Sequence, residues 1–297
     1  TILQLNVARF DAIKHNALSL WGDAKLGIQK LDKELSSWKA PIQWQDMAQK
    51  ESSKWNNYYE EITSINNLSK TEDILPTDAQ VLGEIKRNGL ASDIVVCAAG
   101  SLPGELHKLW RTEQTGGYHA EYGFSCMGYE IAGGLGVKMA KPEREVIVLV
   151  GDGSYLMLNS ELATSVMLGH KIIVVVLDNR GFSCINRLQN ATGNRSFNNL
   201  LKDCESDDGH PVVNFALHAE SLGANSEYVE NIDELESALE RARSSSKSYL
   251  ISLVTDSHKI SPEGGCWWEV AVPEVSSNEK GEEIYESYKK AKKKQPY

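Results

Sequence analysis

The chain has 297 residues and carries 31 Lys and Arg against 41 Asp and Glu, a formal net charge of −10. This length exceeds a typical single domain, and the negative balance disfavours a general nucleic-acid binder. The five cysteines are scattered without CxxC or CxxH spacing, and neither a signal peptide nor a membrane-length apolar run is found. We therefore expect a soluble, cytoplasmic protein with no nucleic-acid partner and no membrane partner.

The first 75 residues contain little that could form a core. Residues 1–36 show a short strand-like start and a helical pattern over 24–35, and they resemble the incomplete end of a domain. The chain begins at Thr1 inside an apolar pattern, which indicates either a piece of a longer protein or removal of an initiator Met. Residues 37–75 are polar and rich in Trp and Tyr, and they predict a helical linker.

The pattern changes at residue 76, where short β-branched runs begin to alternate with helical patterns. Thr77 can cap a helix that ends near Asn88 and Gly89. The following strand-like runs and helix-like stretches cover residues 94–99, 127–140, 146–150, 159–168, 172–177, 235–243 and 249–254. Continuous apolar strands between amphipathic helices predict an α/β fold, a doubly wound parallel sheet with helices on both faces, over residues 76–256.

Two further segments lie outside this alternation. Residues 182–210 are polar and without clear periodicity, which favours an active-site loop. Residues 257–297 form a carboxyl-terminal extension ending in a lysine-rich run, which we interpret as a solvated terminus.

Two strand ends carry the chemistry. Asp152 and Gly153-Ser154 follow the run 146–150, and Asn179 and Gly181 follow the run 172–177. Ligands of a doubly wound sheet bind at the carboxyl ends of its strands. A carboxylate, an amide oxygen and a backbone carbonyl suit Mg²⁺, and the start of a helix at Gly153-Ser154 favours a phosphate group. A GDG turn alone is a weak signal, and the second turn strengthens it.

This pair of turns resembles the diphosphate-and-metal motif of thiamine-diphosphate enzymes. The resemblance implies a thiamine diphosphate and Mg²⁺ site, with Asp152, the Asn179 side chain and the Gly181 carbonyl as metal ligands. It also implies that Gly153, Ser154, Asn179, Gly181 and Phe182 lie beside the cofactor. Asp178-Asn179 stands where many family members have Asn-Asn.

Two other segments fit the same family. The segment 98–104 resembles the first cofactor loop and implies Gly100 and Ser101 near the diphosphate. The segment 123–130 resembles the loop that clamps the aminopyrimidine, with Met127 under the cofactor and the Ser125 carbonyl on the pyrimidine edge. Many relatives have Gly in place of Ser125.

Long runs at 100–110, 117–134 and 267–276 resemble the trihydroxycyclohexanedione hydrolases of myo-inositol catabolism, a branch of this family. The resemblance implies a cyclic diketone substrate, opened hydrolytically to 5-deoxyglucuronate. His119 is the candidate catalytic residue in this chain, although a structural hydrogen bond is the commoner role for such a His. An acetolactate-synthase-like carboligase and a non-catalytic cofactor-binding module remain alternatives.

In the resembled family a glutamate that activates the cofactor lies on a separate pyrimidine-binding domain. No second α/β domain is evident in the sequence, and Glu121 and Glu130 lie on the diphosphate-binding side. We therefore expect this chain to hold half of a cofactor site. Its expected partner is the pyrimidine-binding domain of a parent chain or of another subunit, within a homo-oligomer.

Overall fold

The computed structural model describes residues 1–64, 75–204, 212–262, 269–276 and 279–295. Residues 1–57 and 58–297 form two compact units. The predicted division at residues 36, 75 and 256 remains a prediction. Within the described residues, no helix is both long and apolar enough to cross a bilayer.

The first unit contains a small parallel pair of strands and flanking helices. Strand β1 pairs with β2 from Leu3 opposite Leu18 to Asn6 opposite Trp21. Asp23 caps α2 by accepting a hydrogen bond from the Leu26 N–H at 3.0 Å. The elements are β1 (Leu3–Asn6), α1 (Arg9–Ala12), β2 (Leu18–Trp21), α2 (Ala24–Glu34) and α3 (Ile42–Thr63), whose last turns belong to the second unit.

The second unit is an α/β domain, as the sequence predicted. In the described residues six parallel strands form one sheet in the order β4-β3-β5-β6-β8-β7. Its strands are β3 (Ile94–Cys97), β4 (Tyr118–Ala120), β5 (Val146–Gly151), β6 (Ile173–Asp178), β7 (Asn225–Tyr228) and β8 (Tyr249–Val254). Its helices are α4 (Asp78–Arg87), α5 (Ser101–Leu109), α6 (Tyr129–Ala140), α7 (Asp152–Met157), α8 (Ser160–Leu168), α9 (Ser183–Ala191), α10 (Phe215–Ser221), α11 (Ile232–Ser244) and α12 (Glu279–Lys292).

Helices cover both faces of the sheet. One buried cluster joins α4, α5 and α11 to alternate strand residues such as Val95 and Ile147. The other joins α6, α8 and α10 to the intervening residues, such as Val96 and Val148. The four central strands are buried on both sides, which explains why their sequences are continuous apolar runs.

Local sequence signals account for several boundaries. Thr77 and Gln80 form a reciprocal capping box at the start of α4, which ends at Arg87 before Asn88. A Cβ on Gly134 of α6 would overlap the Val148 side chain, so glycine permits the close packing of α6 on the sheet. The cap at Thr77 agrees with the helix start predicted from the sequence.

The prediction of a loop over residues 182–210 is wrong for residues 183–191, which form α9. Ile185 and Leu188 are spaced as helical neighbours, but polar residues around them concealed the pattern. Residues 205–211 of that interval, and Trp267 and Trp268 of the carboxyl-terminal extension, lie outside the described residues.

Candidate functional site

The site lies where the strand order reverses. After β3 the chain runs outward to β4, and it then returns past β3 to β5. Helix α5 follows β3 on one face of the sheet, whereas α7 and α8 follow β5 toward the other. The connections that leave the carboxyl ends of β3 and β5 therefore run to opposite faces and leave a crevice between them, which is where doubly wound sheets bind ligands.

The turns after β5 and β6 meet as predicted. Asp152 begins α7, and its Oδ2 accepts a hydrogen bond of 2.8 Å from the Gly181 N–H. The Oδ1 of Asn179 is buried and has no hydrogen-bond partner within the described residues. A buried acceptor without a donor is costly unless another group satisfies it. The Asn179 oxygen thus has the property expected of a cation ligand.

Two carboxyl groups are buried beside this point. Burial, with the neighbouring Asp178 carboxylate as the second cause, raises the pKa of Asp152 to about 7. Burial also raises the pKa of Asp178, while the nearby Arg180 guanidinium opposes that rise. The Nε of Arg180 lies 3.3 Å from Asp178 Oδ2. A bound cation would offset the cost of keeping these carboxylates charged away from water.

Glycine is required at two points of the crevice. Gly181 has φ +134°, and a Cβ there would lie 2.5 Å from the Asn199 carbonyl oxygen. Gly100, which precedes α5, has φ +89°. Backbone in this region is accessible to glycine and strained for other residues.

The loop before α6 is held by a glutamate. The Glu121 carboxylate accepts hydrogen bonds from the N–H groups of Phe124, at 3.0 Å, and Cys126, at 2.7 Å. These backbone donors, Cys126 first, hold the pKa of Glu121 below its ordinary value. Between them Ser125 has φ +52°, a left-handed conformation, which explains why relatives can carry Gly at this position.

These elements enclose one cavity of about 320 Å³. Ten residues selected from the sequence as cofactor or metal ligands line it: Gly100, Ser101, Ser125, Met127, Asp152, Gly153, Ser154, Asn179, Gly181 and Phe182. The Phe182 ring lies directly over Gly153, where a Cβ would approach its Cε1 to 2.7 Å. The structure therefore brings four segments, far apart in the sequence, to one pocket.

The Ser154 hydroxyl makes its hydrogen bonds within the protein. The side chain is buried, and Ser154 Oγ donates to the Glu130 carboxylate at 2.8 Å while it accepts from the Gly128 N–H. The hydroxyl is thus used inside the protein rather than directed to a phosphate.

His119 is not among the described residues that line this cavity. It lies on β4, where its Nε2 pairs with the Tyr129 hydroxyl at 2.7 Å and its ring stacks on the tyrosine ring. The geometry matches the structural alternative, and a catalytic role for His119 remains a prediction.

Sequence reasoning missed several residues that line the cavity. Tyr122 follows the short edge strand β4, and four others belong to the start of α9, the helix that was predicted as loop. The missed α9 residues are Ser183, Cys184, Ile185 and Leu188. The apolar spacing of Ile185 and Leu188 was the available signal.

Comparison with known proteins now adds to this geometry. Residues 98–253 match the model of a family described as thiamine pyrophosphate enzyme, C-terminal TPP binding domain. The chain belongs to the thiamine-pyrophosphate enzymes. The matched range contains the whole of the cavity's lining.

Three similar curated proteins carry the name 3D-(3,5/4)-trihydroxycyclohexane-1,2-dione hydrolase. The Clostridium tetani protein is 37% identical over 314 residues, which cover 96% of this chain and 48% of the relative. The Bacillus licheniformis and Bacillus subtilis proteins are 38% and 36% identical, each over 97% of this chain and 48% of the relative. The chain thus spans about half the length of these relatives.

A solved structure supports the fold. The thiamine diphosphate-dependent 4-hydroxybenzoylformate decarboxylase of Rhodococcus jostii RHA1 aligns with a TM-score of 0.52 at 19% sequence identity. The alignment covers 61% of this chain and 33% of the decarboxylase. At this identity the likeness concerns the fold alone.

Proposed function

We propose that this chain carries the diphosphate-binding half of a thiamine diphosphate- and Mg²⁺-dependent hydrolase. Its reaction would be the hydrolytic opening of a C–C bond in 3D-(3,5/4)-trihydroxycyclohexane-1,2-dione to give 5-deoxyglucuronate, a step of myo-inositol catabolism. The observation that carries the proposal is the gathering of ten predicted ligands around one cavity at the sheet's switch point. The name shared by the relatives supports the choice of substrate.

The donor set fits Mg²⁺. Asp152 offers a buried carboxylate, Asn179 an unsatisfied buried amide oxygen, and Gly181 a carbonyl on the same turn. Hard oxygen donors of this kind, completed by phosphate oxygens and water, form the usual octahedral shell of Mg²⁺. The Gly181 N–H bonded to Asp152 holds the two turns together, so the ligands are placed before a cation arrives.

Other residues of the chain would hold and orient the cofactor. The start of α5 at Ser101 lines the cavity, where the N–H groups of a helix's first turn can bind a phosphate, and Gly153, in the first turn of α7, has no side chain that would obstruct one. Met127 lies on the wall between Ser125 and Gly128 and would support the bent cofactor. When bound, thiamine diphosphate supplies a nucleophilic carbon and an electron sink, which suit cleavage beside a 1,2-diketone carbonyl.

Activity would require a partner. The family resemblance assigns cofactor activation to a glutamate on a pyrimidine-binding domain, supplied by a parent chain or by another subunit of a homo-oligomer. Glu121 and Glu130 are both engaged in hydrogen bonds within this chain, which makes them unsuitable substitutes. A cytoplasmic location remains a prediction.

Product analysis tests the reaction. The chain is incubated with Mg²⁺, thiamine diphosphate and the polypeptide that supplies the pyrimidine-binding domain, and then with either the cyclic diketone or pyruvate. Formation of 5-deoxyglucuronate supports the proposal, and acetolactate from pyruvate would favour a carboligase. Cofactor binding with neither product would favour a non-catalytic module. Robust diketone opening by the chain alone would contradict the proposal that this chain holds only half of the cofactor site.

Calorimetry tests the metal site separately. Asp152→Ala removes the proposed carboxylate ligand, so Mg²⁺ should no longer increase the affinity for thiamine diphosphate. Glu240→Ala removes an exposed carboxylate of α11 and should leave the affinity unchanged. Full Mg²⁺-dependent affinity in Asp152→Ala would reject the metal assignment.

A further inference from the structure

Glu130 is a buried acidic residue in the first turn of α6, and only 1% of its surface is exposed. Its carboxylate accepts three hydrogen bonds. Oε1 accepts from the Ala99 N–H at 3.1 Å, and Oε2 accepts from the Gly128 N–H at 3.0 Å and from Ser154 Oγ at 2.8 Å. The residue is therefore satisfied by neutral donors of the protein.

These three donors come from three different walls of the cofactor cavity. Ala99 ends the turn after β3 and precedes Gly100 and Ser101. Gly128 follows Met127 at the end of the clamp loop, and Ser154 follows Gly153 in α7. Each donor is thus adjacent, or nearly adjacent, to a predicted cofactor residue, and one carboxylate joins all three segments.

A fourth hydrogen bond links two of these donors to each other. The Gly128 N–H also donates to Ser154 Oγ at 2.8 Å, so Glu130, Gly128 and Ser154 form a ring of hydrogen bonds. Gly128 adopts a left-handed conformation, with φ +92°, that directs its N–H into this ring. Charge-assisted hydrogen bonds to a buried carboxylate are stronger than neutral ones, which favours a single arrangement of the walls.

We infer that Glu130 is a positioning residue that locks the three walls of the cofactor cavity together, so that its loss weakens cofactor binding more than folding. The identity of the cofactor rests on the proposed function, whereas the locking role rests on the hydrogen bonds alone. A small displacement of a binding wall is sufficient to impair a preorganised site.

Glu130→Gln is the sharpest variant because it preserves size. An amide has one accepting oxygen, whereas the Glu130 position meets donors on both sides. In either orientation the NH₂ group faces a backbone N–H, of Ala99 or of Gly128. One wall is therefore released while the side chain still fills its space.

The matched control is Glu84→Gln. Glu84 is also buried, and its carboxylate pairs with Arg87 Nη2 at 2.6 Å and Asn88 Nδ2 at 2.7 Å on α4. It does not line the cavity. This variant should lose stability without a change in cofactor affinity.

Two measurements are made on the 297-residue chain. Calorimetry with thiamine diphosphate and Mg²⁺ should show affinity reduced on the order of 10–100-fold in Glu130→Gln, as for other residues that orient a ligand shell. Hydrogen exchange should show the amide that loses its acceptor, that of Ala99 or of Gly128, exchanging about 10-fold faster or more in Glu130→Gln, and both amides unchanged in Glu84→Gln.

The outcomes separate the two proposals. Wild-type affinity and wild-type exchange in Glu130→Gln would overturn the positioning role. An equal loss of affinity in Glu84→Gln would also overturn it, because the effect would then follow general stability. If the wild-type chain fails to bind the cofactor while Glu130→Gln still speeds exchange at the Ala99 or the Gly128 amide, the proposed function fails and the locking role stands.

Discussion

Replacement of Gly181 by alanine tests the backbone that joins the two turns of the proposed metal site. Gly181 has φ +134°, and a Cβ would lie 2.5 Å from the Asn199 carbonyl oxygen and 3.0 Å from the Leu200 Cα. Both neighbours are backbone atoms, and the Asn199 carbonyl is fixed by a hydrogen bond of 2.7 Å from the Phe182 N–H. The overlap therefore cannot be relieved by rotating a side chain.

The expected loss of folding stability in Gly181→Ala has two causes. A non-glycine residue in this region of backbone space costs about 1–3 kcal/mol. Overpacking against fixed atoms adds about 1–3 kcal/mol. Gly181→Ala should therefore lower the free energy of unfolding by about 2–6 kcal/mol, and relief of the overlap would also move the Gly181 carbonyl and its N–H bond to Asp152.

Urea unfolding and calorimetry with thiamine diphosphate and Mg²⁺ measure the two consequences. Gly100→Ala serves as a comparison for stability, because φ is +89° but no described residue has an atom within 4 Å of the new Cβ, so only the cost of the backbone conformation applies. Gly136→Ala, in an open position of α6, should stabilise by up to about 1 kcal/mol. Equal stabilities of Gly181→Ala and Gly100→Ala, or an unchanged cofactor affinity in Gly181→Ala, would refute the reasoning.

Two other buried groups give predictions on stability. Burial, with the Glu105 carboxylate as the second cause, raises the pKa of Asp78 to about 6, so the folded state binds this proton more tightly than the unfolded state. The free energy of unfolding should therefore fall as pH rises through 6. Between pH 5 and 8, urea unfolding should show the wild type losing about 1 kcal/mol relative to Asp78→Asn. Parallel pH profiles of the two proteins would contradict this prediction. Arg243 Nη2 lies 2.6 Å from Asp93 Oδ2, and the Asp93 side chain is 3% exposed. Arg243→Met should therefore cost about 3–5 kcal/mol by thermal or urea unfolding, and a second substitution, Asp93→Asn, should recover part of it; a loss below about 1 kcal/mol would show that the carboxylate finds other partners.

The central strands were predictable because burial on both faces demands continuous β-branched sequence, as at residues 146–150 and 172–177. The edge strands were not, since β4 has three residues and β7 reads Asn-Ser-Glu-Tyr, and neither shows a core pattern. Their strand conformation is imposed by pairing with β3 and β8. Helix α9 was missed for a similar reason, because its few apolar residues stand between polar residues in the sequence.

The sequence by itself determined the α/β fold and the two strand-end turns, because spacing along parallel strands fixes which side chains share an edge. The resemblance to thiamine-diphosphate enzymes, and not this spacing, indicated the remaining predicted residues of the cavity. Only the tertiary structure decided what each group does there. It directed the Ser154 hydroxyl to Glu130, paired His119 with Tyr129, and left Asn179 Oδ1 without a donor among the residues that the structure describes. The physical reason is that hydrogen-bond partners across three segments depend on angles and distances that residue order does not encode.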